Sequence, residues 1–100
     1  ELLRIRHMLA LTNIQNVLPM LDRYDHSSHG GTGKTVNWNV AKALAEDQEF
    51  FLAGGLSPDN ISMAISLVHP WGVDVASGVE TNGAKDIEKI RLFIQRTQES

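Results

Sequence analysis

At 100 residues, 42% of them hydrophobic, the chain can bury one small core but cannot divide into two independent domains. Its net charge of −3 argues against a general affinity for nucleic acid or for an anionic membrane surface. Zero cysteines exclude a disulfide scaffold and a thiolate metal site, no window approaches the ~20 apolar residues of a membrane span, and no signal-peptide pattern opens the sequence.

Leu2 to Leu9 reads as a strand, with Arg4 and Arg6 alternating against Leu3 and Ile5. From Ile14 two readings compete. Ile14, Val17, Leu18 and Leu21 recur at i, i+3, i+4 and i+7, as on a helix. Pro19 would cost such a helix about 3 kcal/mol if interior, and the alternative is a strand over Val17-Leu18-Pro19-Met20-Leu21 ending in Asp22. Asn37 to Glu46 makes a helix whose apolar stripe is Trp38, Ala41, Leu44 and Ala45. Phe50-Phe51-Leu52-Ala53 is a continuous apolar run stopped by Gly54-Gly55, the pattern of a buried strand. Ser57 as N-cap and Pro58 at the first helical position open the next helix. Ile61, Ala64, Ile65 and Val68 supply its apolar face and His69-Pro70 closes it. Gly72-Val73-Asp74-Val75-Ala76 is a further strand, stopped by Ser77-Gly78, and a last helix runs from its N-cap Asp86 to Arg96 with Ile87, Ile90 and Ile94 on one face. Helix, strand, helix, strand, helix with short loops is the signature of βα units around a parallel sheet.

The loop His29-Gly30-Gly31-Thr32-Gly33-Lys34-Thr35 suggests a phosphate cradle. A nucleotide P-loop requires glycine at position 28, where Ser28 stands, and a buried strand leading in, where Tyr24-Asp25-His26-Ser27-Ser28 is polar. The four histidines, His7, His26, His29 and His69, lack metal-ligand spacing. Gly54-Gly55 and Ser77-Gly78 each end an apolar strand. Glycine there lets backbone N–H groups approach a phosphate closely, and in (βα)8 barrels the loops after strands seven and eight bind phosphate. The alternative is that these glycines only turn the chain from strand to helix.

Three segments together resemble the phosphoribosylanthranilate isomerase family: Gly30 to Trp38, Phe51 to Asn60 and Gly72 to Glu80. Their order and spacing are similar to that family's sixth loop, its seventh strand and loop, and its eighth strand and loop. The resemblance implies an α/β fold of parallel βα units forming the C-terminal half of a (βα)8 TIM barrel, as one partial domain spanning residues 1–100. It implies an aldose–ketose isomerase of tryptophan biosynthesis that performs an Amadori rearrangement of N-(5-phosphoribosyl)anthranilate. An acid protonates the ring oxygen to open the furanose, a base then removes a proton from C2 of the sugar, and no metal or organic cofactor takes part.

By resemblance, the acid is the aspartate ending the sixth strand. Asp22 is the best match and Asp25 the second choice, although residues 1 to 29 are several residues shorter than the family pattern. Gly54, Gly55, Ser77 and Gly78 would bind the phosphate, and Asp74, set between Val73 and Val75, would help hold the substrate. A structural carboxylate bonded to backbone is the other reading of Asp74. The base is a cysteine on the family's first strand, which has no counterpart here. The implied partners are therefore a phosphosugar substrate and either the missing N-terminal half-barrel or a second copy of the chain, with no nucleic acid or membrane. The expected setting is the cytoplasm, and Glu1 in place of methionine hints at a processed or partial chain. Two other functions are weighed: a nucleotide-binding module using Gly30 to Thr35, and a catalytically silent phosphosugar-binding half-barrel.

Overall fold

The computed structural model describes residues 18–22 and 35–100. The expected strand over Leu2–Leu9, Asp25 and the loop Gly30–Lys34 lie outside the described residues. Strand β1 (Met20–Leu21) is followed by helix α1 (Trp38–Ala45), strand β2 (Phe51–Leu52), helix α2 (Ile61–Val68) and strand β3 (Gly72–Val73). A short 3-10 turn (Ser77–Val79), the strands β4 (Glu80–Thr81) and β5 (Ala84–Lys85), and helix α3 (Ile87–Glu99) complete the order. Of the two readings from Ile14, the strand holds over the described residues Met20–Leu21, just after Pro19, with Asp22 following β1.

The sheet order is β1-β2-β3, all parallel, with Met20 opposite Phe51 opposite Gly72, and Leu21 opposite Leu52 opposite Val73. Parallel neighbours need a crossover between them, and α1 and α2 supply it. Side chains alternate along a strand. Phe50 and Leu52 point to the helices and are fully buried with Ala41 and Leu44 of α1, Ile61, Ala64 and Val68 of α2, and Phe93 of α3. Leu21 and Val73 pack on the same cluster. The Met20-Phe51-Gly72 row takes the opposite face, where Met20 is 52% exposed and the exposed Trp71 ring stands edge-on to Phe51 at 5.1 Å.

The helices start where side chains satisfy their free N–H groups. Asn37 Oδ1 accepts from the N–H of Asn39 at 2.9 Å and of Val40 at 3.4 Å. Asp86 Oδ1 accepts from the N–H of Glu88 at 2.9 Å and of Lys89 at 3.2 Å. Ser57 Oγ accepts from Asp59 N–H at 3.2 Å, and Ile61 N–H reaches Ser57 O at 3.0 Å. Ser57 therefore has the bonding of a cap, although regular helix begins only at Ile61. His69 ends α2 in the left-handed region, φ 55°.

Two expectations are corrected. The buried side of α3 is not Ile87-Ile90-Ile94: Ile87 and Ile94 are 70% and 51% exposed, and Phe93 with Ile90 carries the packing. Asp86, Lys89, Ile90 and Phe93 follow i, i+3, i+4, i+7, so the inward stripe mixes polar stems with apolar groups and three isoleucines gave a misleading face. The helix also continues past Arg96 to Glu99. Residues 80–85, which the sequence analysis leaves without an element, form a hairpin whose Asn82-Gly83 turn has φ 54° and 80°, as a type I′ turn requires.

Phe93→Ala should cost about 3–5 kcal/mol, against a change within about 0.5 kcal/mol for Ile87→Gln, read from urea midpoints. The Asp86 carboxyl is held below its ordinary value of 3.8, first by the Thr81 hydroxyl that donates to Oδ2 at 2.7 Å and then by the Lys89 N–H. A lowered folded pKa gives a contribution fully present above the ordinary value and lost as pH falls through the folded one. Amide-exchange protection of the first turn of α3 should therefore fall on acidification below pH 3.8, and Asp86→Asn should remove that dependence.

Candidate active site

Ligands of parallel α/β sheets bind outside the carboxyl ends of the strands, and the sequence-predicted residues gather at that rim. Asp22 follows β1, Gly54-Gly55 follows β2, and Asp74 and then Ser77-Gly78 follow β3. The bonds Ala53 N–H to Leu21 O and Asp74 N–H to Leu52 O, both 2.9 Å, carry the ladder one residue beyond the strands. Asp22, Ala53 and Asp74 thus form the next row. It alternates with the row packed on the core, so the two carboxylates share the face away from the helices. At one strand spacing per step their backbones stand about 10 Å apart.

Both aspartates are exposed. The expectation that Asp74 lies inside an apolar strand is corrected: β3 ends at Val73, and Asp74 is exposed. Its significance rests on its place in the row, not on a burial cost.

The two glycine corners touch. Gly54 and Gly55 have φ 91° and 67°, a region that β-carbons strongly disfavour. Asn60 braces them from inside: its Nδ2 donates to Gly55 O at 2.9 Å and its Oδ1 accepts from Ser57 N–H at 2.9 Å. Arg96 Nη1 of α3 donates to Pro58 O on the outside of the same turn. A β-carbon on Gly78 would lie 1.7 Å from Leu56 O and 3.1 Å from Ser57 Cα, so the second corner rests directly on the backbone of the first. The loop bearing Ser77-Gly78 is tied down by Lys85 Nζ, which donates to Ala76 O at 3.1 Å and pairs with Glu80 at 2.7 Å, and by Lys89 Nζ, which donates to Glu80 O at 2.7 Å.

Sequence reasoning missed Asn60, Lys85 and Lys89. The three-residue spacing of Ser57 and Asn60 is that of a capping box with asparagine in the usual glutamate place, which is a signal that could have found Asn60. The two lysines reach backbone oxygens of Ala76 and Glu80, each nine residues back, and no local pattern announces those bonds. Trp38 packs against the core as expected, but its ring N–H is buried without a hydrogen-bond partner among the described residues. The Gly30–Lys34 stretch of the nucleotide-binding alternative lies outside the described residues, and among them no helix is long and apolar enough to cross a membrane.

A profile of the family described as N-(5'phosphoribosyl)anthranilate (PRA) isomerase matches residues 5–96. The chain belongs to this family. The N-(5'-phosphoribosyl)anthranilate isomerase of Aquifex aeolicus is 51% identical over 81 residues, covering 79% of this chain and 40% of that protein. The crystal structure of phosphoribosyl anthranilate isomerase from Thermotoga maritima superimposes with a TM-score of 0.72 at 34% identity, covering 96% of this chain and 47% of that one. A second structure is a phosphoribosyl anthranilate isomerase in complex with reduced 1-(o-carboxyphenylamino)-1-deoxyribulose 5-phosphate. It superimposes with a TM-score of 0.64 at 31% identity, covering 96% of this chain and 44% of that one. The chain spans about 40% of the length of the curated relatives it matches. The fold is therefore that of a phosphoribosylanthranilate isomerase TIM barrel in part, with β1, β2 and β3 as consecutive neighbours of its parallel sheet.

Gly78→Ala should be the most damaging single methyl in the rim. With a backbone oxygen in its way, the corner must open, at a cost on the order of 3 kcal/mol, the upper end for overpacking. Chemical denaturation reads the cost, and amide shifts at Gly54, Gly55 and Leu56 should move with it.

Proposed function

We propose that this chain supplies the phosphate-binding and acid-bearing part of a phosphoribosylanthranilate isomerase of tryptophan biosynthesis. The observation that carries the reading is the contact of Gly78 with Leu56, which brings the two glycine corners together at the rim that Asp22 and Asp74 share. The ligand in one solved relative, reduced 1-(o-carboxyphenylamino)-1-deoxyribulose 5-phosphate, has the parts such a rim would need to engage: a phosphate at one end and a carbon chain running from it.

In this reading the backbone N–H groups of Gly54, Gly55, Ser77 and Gly78 hold the 5-phosphate of N-(5-phosphoribosyl)anthranilate. They are neutral donors pre-aimed by the fold, which bind a dianion without a competing proton equilibrium. Asp74 accepts from a sugar hydroxyl. Asp22 donates its proton to the furanose ring oxygen as the C1–O bond breaks, and the nitrogen lone pair moves in to form the C1=N bond of an open iminium. A base then removes the C2 proton to give an enol, which tautomerises to the aminodeoxyribulose phosphate. The substrate carries its own electron sink in that iminium, so proton transfers suffice for the whole rearrangement.

The base does not come from the described residues in this scheme. It belongs to complementing βα units, either an N-terminal half-barrel or a second copy, and these would also cover the sheet face that bears Met20, Phe51 and the two aspartates. The 100-residue chain by itself should not rescue a tryptophan auxotroph lacking the isomerase. Co-expression with the N-terminal half of a family member should rescue it, and Asp22→Asn in the chain should lower kcat of the combined enzyme by about 100- to 10,000-fold, the range for a general acid. Rescue by the chain alone, or an active Asp22→Asn enzyme, contradicts this assignment.

A further inference from the structure

We propose that Asn60 is a positioning residue that aims the backbone amides of the Gly54–Ser57 corner at the phosphate. The inference rests on the phosphate site proposed above and adds to it the side chain that sets its geometry. Two consecutive glycines in left-handed conformations are free to leave them, because glycine populates both signs of φ about equally. The rigidity must come from elsewhere, and Asn60 touches both ends of the corner.

A trans peptide is planar, with its C=O and N–H pointing in opposite directions. Asn60 Nδ2 holds the Gly55 carbonyl, so the N–H on the other side of that peptide, Leu56 N–H, is turned away from Asn60. Asn60 Oδ1 takes the Ser57 N–H, so the Leu56 carbonyl is turned away likewise, and this is the oxygen on which Gly78 rests. One neutral amide therefore fixes both peptide planes around Leu56. Pinning the Gly55 carbonyl also keeps its oxygen from swinging toward the ligand, where it would repel an anion. Ser57 N–H is consumed in the process. The N–H groups of Gly54, Gly55 and Leu56 on one corner, and of Ser77 and Gly78 on the other, have no acceptor among the described residues. Those are the donors left for a phosphate.

Asparagine is suited to this task because it carries a donor and an acceptor on one short side chain. Alanine has neither. Ionised aspartate keeps the acceptor for Ser57 but sets a second oxygen against the Gly55 carbonyl. Arg96 serves as the internal control, since it bonds Pro58 O from outside and touches neither peptide.

The test titrates inorganic phosphate into the purified protein and follows the amide shifts of Gly54, Gly55, Leu56, Ser77 and Gly78, at a temperature where every variant is folded by circular dichroism. Asn60→Ala should weaken phosphate about ten-fold or more, the order expected for losing one hydrogen bond to a charged group. Arg96→Leu, although less stable, should bind within about two-fold of the native chain. Asn60→Asp should also bind weakly at neutral pH but approach the native affinity below about pH 4, where a protonated carboxyl can again donate to Gly55 O. A purely stabilising cap would not produce that pH-dependent recovery of affinity in folded protein. Native-like affinity in Asn60→Ala, or a deficit in Asn60→Asp that does not change with pH, overturns the positioning role while leaving the phosphate site intact. Native protein whose five amides ignore phosphate overturns the site itself, and the role with it.

Discussion

The backbone of Leu56 lies against Gly78 with no space for a single methyl group, and the arrangement of the rim depends on that contact. Three parallel strands in register bring the ends of β2 and β3 to one level, but register alone would leave two independent loops. Gly78 lets the second loop settle onto the first. Asn60, Arg96, Lys85 and Lys89 then hold each partner from its own side. All four side chains bond backbone oxygens, and Asn60 also takes a backbone N–H. The candidate site is therefore made chiefly of main chain, its peptide planes set by Asn60, while Arg96 steadies the same turn from outside without bonding either peptide.

This division explains what could be read from the sequence. The strand–glycine pairs at 52–55 and 73–78 were legible because buried apolar runs and the glycines that stop them are local signals. So were the caps Ser57 and Asp86, whose side chains bond N–H groups two or three residues on. The strand at Met20–Leu21 was half legible: periodicity favoured a helix, the proline argued against it, and the pairing with β2 decided. The face of α3 was misread because three isoleucines outweighed one phenylalanine in a helix whose inward stripe also carries the stem of Lys89. The hairpin at 80–85 carried its Asn-Gly signal openly but lay between a loop and a helix already assigned. The bracing of the rim by Asn60 and the two lysines was the least accessible part, since it depends on where backbone oxygens come to rest in three dimensions.

A parallel sheet is ordinarily covered on both faces, and here helices cover one. The other presents Met20, Phe51 and the two aspartates around a buried Ala53, a mixture that suits neither water nor an apolar core alone. An apolar row set below an acidic row at the strand ends is what the inside of a barrel requires: packed filling beneath, chemistry at the mouth. The family relationship and the physical reading of this face agree, although they rest on different observations.

The edge-on pair of Trp71 and Phe51 has an optical consequence. An indole lying half in solvent on the uncovered face emits at longer wavelength than one enclosed by protein, whereas Trp38, packed among the helices, has its surroundings already fixed. The molecule thus carries a built-in gauge of barrel closure: a blue shift from one tryptophan, read against the steadier emission of the other, would report the moment the open side of the sheet is sealed.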